Sequence, residues 1–274
     1  MQTQEILIEA GKTESQYWRD LWRYRELLYF LAWRDVLVRY KQTVFGVGWA
    51  LLRPLLTMIV FVIVFGKLAK LPSEGVPYPL LVCAAMLPWQ LFSTAFSEAS
   101  SSLLSNANLV SKVYFPRVLV PLSAMVVSLV DFLISLVILG ALMWYYGQPL
   151  TWRVMTLPLF VVIALLASSG AGIGMAALNV RFRDFRFVIP FVVQFGMYVS
   201  PVGFSSKIVP EPYRPLYALN PMVGVIDGFR WALLGEENTL DAWTFLVSLV
   251  VIGVSLVVGL GYFRRTEQTL ADRL

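Results

Sequence analysis

A helix that crosses the hydrocarbon core of a bilayer needs roughly 20 mostly apolar residues, and runs of about that length recur along this chain. Residues 47–65, 80–101, 118–146, 157–178 and 243–263 each form one. The fourth of these is followed by a run that starts near 187 and reaches 200, which brings the expected spans to six. Only 14% of the residues are charged and 58% are hydrophobic, with a mean hydropathy of +0.70. Soluble domains carry about a quarter charged residues, so lipid is the expected solvent. The first 16 residues are polar, with Glu5, Glu9 and Glu14, and lack the apolar core of a signal peptide; the chain is therefore expected to keep its own N-terminus.

Ahead of the first span, Tyr17, Leu21, Tyr24, Leu28 and Leu31 recur at helical spacing, while Arg19, Arg23 and Glu26 take the opposite face. This predicts an amphipathic helix over 17–39 lying in the membrane interface, with Trp18, Trp22 and Trp33 at headgroup level. Between 201 and 241, Pro201, Pro210, Pro212, Pro215 and Pro221 break up a half-apolar stretch. It is too interrupted for a full span and predicts short re-entrant half-helices. The expected fold is an all-α integral membrane protein of six transmembrane helices preceded by an interface helix. Its divisions are a cytoplasmic N-terminus (1–46), a membrane domain (47–263) and a cytoplasmic tail (264–274).

Cytoplasmic loops carry the excess of Lys and Arg. An inside N-terminus puts most of the 22 basic residues there, above all Arg181, Arg183, Arg186, Arg264 and Arg265. Both termini are then cytoplasmic. The net charge of +5 is spread between apolar runs and forms no continuous patch, so nucleic acid is not an expected partner. One cysteine, Cys83, excludes an internal disulfide, and the absence of histidine removes the commonest metal ligand and general base.

No phosphate-cradling G-x-x-x-x-G-K-[ST] occurs; Gly170-Ala171-Gly172-Ile173-Gly174 lies inside an apolar run. Gly170 and Gly174 read instead as a small-xxx-small packing face. Asp131 is an acid near the middle of a span, costly there by roughly 2.5–3.5 kcal/mol on insertion scales, and so must face protein or water. It reads either as a lining or coupling residue or as a hydrogen-bonded acid between helices. Glu98, near a span end, costs less. The segment 105–117 is short, polar and apolar by turns, and suited to docking in a partner's groove.

Trp33-Arg34-Asp35-Val36-Leu37-Val38-Arg39-Tyr40-Lys41-Gln42-Thr43, running into Gly46-Val47-Gly48-Trp49-Ala50-Leu51-Leu52-Arg53-Pro54, is the most specific stretch. With 109–117, Asn179-Val180-Arg181-Phe182-Arg183-Asp184, Ser200-Pro201-Val202 and Leu219-Asn220-Pro221-Met222, it resembles the transmembrane subunit of a polysaccharide-exporting ATP-binding cassette transporter, of the type-2 export permease superfamily. The resemblance covers nearly the whole chain. It implies a bacterial inner-membrane homodimer that docks on two copies of a nucleotide-binding subunit and moves a lipid-linked O-antigen or capsule-like glycan outward. ATP and magnesium belong to that partner, so the chain is no enzyme by itself and holds no cofactor or metal of its own. The loop after the second span becomes a coupling helix, with Asn108, Lys112, Tyr114, Phe115 and Arg117 touching the nucleotide-binding subunit.

A glycan path needs aromatic faces and hydroxyls. Trp89, Phe92, Phe96, Phe195 and Tyr198, with Asp131, are the candidate channel residues, helix packing or lipid contact being the alternative for each aromatic. Arg34, Arg39 and Arg53 are candidates to meet the substrate's pyrophosphate at the cytoplasmic entrance, although topology alone also accounts for them. Different readings are a permease for teichoic acid or another type-2 export substrate, a secondary transporter using Asp131, and a membrane-embedded transferase. The last would need clustered acids that the sequence lacks.

Overall fold

The computed structural model describes residues 14–41, 46–73, 75–235 and 240–270, and among these it is helical with no strand. Helices α1 (Glu14–Arg23) and α2 (Arg25–Lys41) occupy the place of the expected interface helix. They meet at Tyr24 rather than forming one rod, although Tyr24 N–H still donates to Asp20 O and Leu28 N–H to Tyr24 O. Next come α3 (Gly46–Phe61), a π-helical segment (Val62–Leu68), α4 (Tyr78–Ser105), the six-residue α5 (Ala107–Lys112), α6 (Leu119–Tyr145), α7 (Leu157–Arg181) and α8 (Phe185–Val199). The chain closes with α9 (Arg214–Tyr217), α10 (Pro221–Leu234) and α11 (Ala242–Leu270). Gln42, Thr43, Lys12 and Arg273 lie outside the described residues, as do the ends of the outer two expected divisions.

Among the described residues, five helical stretches are long and apolar enough to cross a membrane: Gly48–Leu68, Tyr78–Ser105, Leu119–Tyr145, Trp152–Arg181 and Ala242–Glu267. The fifth expected span differs. It is the 15-residue α8, about 22 Å long at 1.5 Å per residue, against a hydrocarbon core of about 30 Å. Pro201 sets its end, because the residue before a proline is driven out of the α region, and Ser200 sits at ψ 152°.

Helix α4 is the hub. Leu80–Leu87 are all buried, and α3, α6, α7, α8 and α10 pack around it. Pro54 interrupts α3 and has no N–H to give Ala50 four residues back. The Ser135 hydroxyl of α6, which donates to Asp131 O at 2.8 Å, also reaches that freed Ala50 carbonyl at 3.4 Å. Helices α7 and α11 run parallel and very close. A Cβ on Gly170 would stand 2.7 Å from Leu256 N, and one on Gly259 would stand 2.0 Å from Gly170 O. The small-residue face read from Gly170 and Gly174 is therefore a packing face.

Helix α10 has local stop and start signals. Asn220 accepts from Met222 N–H as N-cap, Pro221 takes the first turn, and Gly235 ends the helix at φ 74°. Its Arg230 is 1% exposed and donates to Phe204 O at 2.9 Å, with longer contacts to Leu81 O and Val202 O at 3.4 Å. The guanidinium thus takes up the carbonyls of Val202 and Phe204, where the chain has left α8, and adds a long contact to the Leu81 carbonyl in the first turn of α4. Tyr78 closes the same corner through a hydroxyl bond to Gly203 O.

Candidate functional site

Helix α2 climbs beside α6 until Arg39 and Tyr40 reach the level of Asp131. Arg39 donates to Asp131 at 2.6 Å and to Glu98 of α4 at 3.0 Å, and the Tyr40 hydroxyl donates to the other Asp131 oxygen. Burial, then the Asp131 carboxylate, pushes the Tyr40 hydroxyl well above the usual phenol range, which keeps it a donor. Arg34, one face back along α2, is bound to Asp35 at 2.7 Å and to Asn106 Oδ1 at 2.7 Å. Asn106 in turn donates to Ser102 O at 2.9 Å, so α2 is tied to the end of α4 at two levels.

These groups line a cavity of about 720 Å³ together with Arg53, Gln90, Thr94 and Ser101. The three arginines named from sequence, Arg34, Arg39 and Arg53, therefore share one cavity with Asp131. Their states differ. Arg39 is neutralised by two acids, whereas Arg53 is exposed on α3. What the cavity offers chemically is a polar, charge-balanced chamber between α2, α3, α4 and α6.

The aromatic candidates divide into two groups. Trp89, Phe92 and Phe96 follow one another along α4, Trp89 tilted on Phe92 at 5.4 Å and Phe92 stacked on Phe96 at 6.0 Å between centroids, and Trp89 and Phe96 are buried. Phe195 and Tyr198 lie elsewhere, continuing an exposed stripe on α8 that begins with Phe187 and Phe191. The docking candidates divide as well. Asn108, Lys112 and Tyr114 are exposed, while Phe115 is buried against α6, α7 and α11 side chains. Arg117 bonds to Glu267 of α11, its N–H donating to Glu267 Oε1 at 2.8 Å and its guanidinium to Glu267 O.

Reading the sequence missed Tyr40, Asn106 and Arg230 as partners and undervalued Glu98. A usable signal for Arg230 was present: Asp227 and Arg230 are one helical turn apart inside an otherwise apolar run opened by Asn-Pro and closed by Gly.

The profile of the ABC-2 type transporter family matches residues 26–234. The chain is 31% identical to the O-antigen export system permease protein RfbA of Myxococcus xanthus, over 93% of this chain and 98% of that protein. It is 26% identical to RfbA of Klebsiella pneumoniae over 91% of this chain and 95% of the relative. The polysialic acid transport protein KpsM of Escherichia coli is 20% identical over 86% of this chain and 92% of the relative.

Proposed function

Because the chain belongs to the ABC-2 type transporter family, we propose that it is the membrane-spanning permease subunit of an exporter that carries a lipid-linked polysaccharide of the O-antigen or capsule kind across the bacterial inner membrane. The observation that carries this reading is end-to-end similarity to an O-antigen export permease, joined to a polar chamber held among membrane-spanning helices. ATP with magnesium is bound and hydrolysed by a separate subunit, of which two copies serve a dimer of this chain.

Six crossings are supported by the way helix ends gather. Gly170 packs by Leu256 and Gly174 by Gly259, so α7 and α11 run the same way. Arg117, just before α6, is bonded to Glu267 near the end of α11. Arg230 of α10 brings Val202, just beyond α8, to Leu81 near the start of α4. The chain leaves α7 on the basic side and re-enters α11 on the other, so α8 carries it across and α9 and α10 return into the outer half as the half-helices. Helices α1 and α2 then form the cytoplasmic interface element, and both termini are cytoplasmic, with the divisions 1–46, 47–263 and 264–274.

In this arrangement Arg34 and Arg53, with Arg39 behind them, face the anionic carrier end of the substrate at the cytoplasmic mouth. Exposed Asn108, Lys112 and Tyr114 present the docking surface, and Phe115 and Arg117 fix the segment to the bundle. Trp89, Phe92 and Phe96 stand along the path, while Phe195 and Tyr198 face the second copy.

Expressed with its candidate ATP-binding subunit, the chain should purify as a stoichiometric complex whose ATPase rate exceeds that of the ATP-binding subunit alone. Lys112→Glu with Tyr114→Ala should dissolve the complex. Transport by the chain alone, dependent on Asp131, would instead establish a secondary transporter.

A further inference from the structure

A second groove, of about 830 Å³, adjoins the arginine chamber, shares Arg53 with it and has Arg186 in its lining, but holds no acidic side chain. Its walls are α3 and α8, and its floor is α4 from Met86 to Ser105. That floor is about 29 Å long at 1.5 Å per residue, close to the thickness of a bilayer core. Along it Ser93, Ser97, Ser101 and Ser105 recur every four residues, about 6 Å apart. Each hydroxyl donates its proton to its own helix: Ser93 to Gln90 O at 3.2 Å, Ser97 to Ser93 O at 2.7 Å, Ser101 to Ser97 O at 2.9 Å and Ser105 to Ser101 O at 3.2 Å. What the row turns to the groove is therefore lone pairs, not protons.

Two further groove residues carry the same polarity. Asn179 of α7 is 2% exposed, and its Nδ2 is committed to Ser100 O at 3.1 Å. That bond fixes the amide's orientation and leaves Oδ1 buried with no donor upon it. Gln90 Oε1 is likewise buried and accepts nothing. An acyl chain or an apolar helix lying in the groove would leave both oxygens unsatisfied, which is costly. An occupant rich in O–H donors satisfies them and the serine row together.

Resting on the polysaccharide-export reading, we propose that this groove is the track of the sugar chain and that it recognises free sugar hydroxyls as donors, through the oxygens of Ser93, Ser97, Ser101, Ser105, Gln90 and Asn179. Each contact is a single weak neutral hydrogen bond, and the contacts repeat at every turn of α4. A polymer can then exchange one for the next as it advances, without a deep resting place. The substrate class that follows is a glycan whose hydroxyls are largely unsubstituted along the stretch in transit. At the outer end the Trp89 ring presses on α8 so closely that a Cβ on Gly196 would stand 2.7 Å from it, closing the track there.

The test uses the full-length protein in detergent with its sole cysteine replaced (Cys83→Ala), carrying Ser97→Cys, Ser101→Cys or, as control, Ser100→Cys, which is 1% exposed and outside the groove. A small cationic methanethiosulfonate should label positions 97 and 101, and maltoheptaose should slow that labelling, whereas fully O-methylated maltoheptaose, with the same backbone and no donors, should not. Gln90→Met, alone and with Asn179→Leu, should raise the half-protecting concentration, roughly tenfold for the pair, as expected for two lost acceptor bonds. Equal protection by the two sugars, no protection by either, or protection equal at position 100 overturns the proposal. In cells lacking their own permease, display of surface glycan by the unsubstituted chain tests the export reading separately. Display that persists undiminished with Ser97→Leu and Ser101→Leu together overturns the track alone.

Discussion

Arg39 is held by acids from two different helices, and the energetic asymmetry of such a cluster decides which experiments on it are informative. The Asp131 side chain is 10% exposed and that of Arg39 32%. Removing the cation strands a nearly buried carboxylate, a loss of about 3 kcal/mol at the low end for a buried pair, since Arg39 keeps some solvent. Arg39→Glu should therefore lower the amount of folded protein in the membrane, read by immunoblot and by thermal melting. The exchange Arg39→Asp with Asp131→Arg should recover part of it. If Arg39→Glu accumulates and melts like the unsubstituted chain, the cluster is not holding α2. Arg53→Glu, altering an exposed side chain, is the cleaner probe of anion capture: normal abundance with lost export is expected. Both Asp131 and Arg39 stood out in the sequence, yet nothing there joined them. The cost of an intramembrane acid is legible from hydropathy, but its partner lies on a distant helix and is set by how deeply α2 inserts.

At the scale of elements, the crossing of α7 and α11 depends on having no side chain at three places. Gly259→Ala would drive a methyl into the Gly170 carbonyl, and Gly174 stands 3.0 Å from the Gly259 Cα by the same measure. Overpacking of this kind costs about 1–3 kcal/mol. Gly259→Ala should melt several degrees lower in detergent, while Gly253→Ala, with nothing within 4 Å of its would-be Cβ, should match the unsubstituted chain. Equal melting of the two would mean that the helices part without cost. The glycine face was readable because small residues four apart in an apolar run have few other uses. The long spans were readable for the same kind of reason, since length and apolarity are local properties. The break at Tyr24 and the π-helical turn from Val62 to Leu68 were not. Neither has a proline or glycine at its start to announce it.

Over the whole molecule, the parity of the crossings separates two topologies that composition alone leaves equal. Five long spans without α8 would put the two ends of the chain on opposite faces; a crossing by the short α8 puts them on the same face. Helix direction favours the second. Parallel packing of α7 and α11 requires one traverse between Arg181 and Ala242, and the Arg230 bonds tie Val202 and Phe204 to the α4 start, away from Arg181. The positive-inside rule agrees independently, because Arg181 and Arg183 precede α8 and Arg186 lies in its first turn, while Arg264 and Arg265 lie near the end of α11. A shortfall of about 8 Å in α8 is tolerable where the bilayer thins or neighbouring helices cover the ends. Alkaline phosphatase fused after Gly147 or Leu240 should be active and after Arg183 or the last residue inactive, with a cytoplasmic fluorescent reporter giving the reverse pattern. Phosphatase activity at the C-terminus, with none after Leu240, would mean that α8 lies flat and that the basic ends of α7 and α11 face opposite sides.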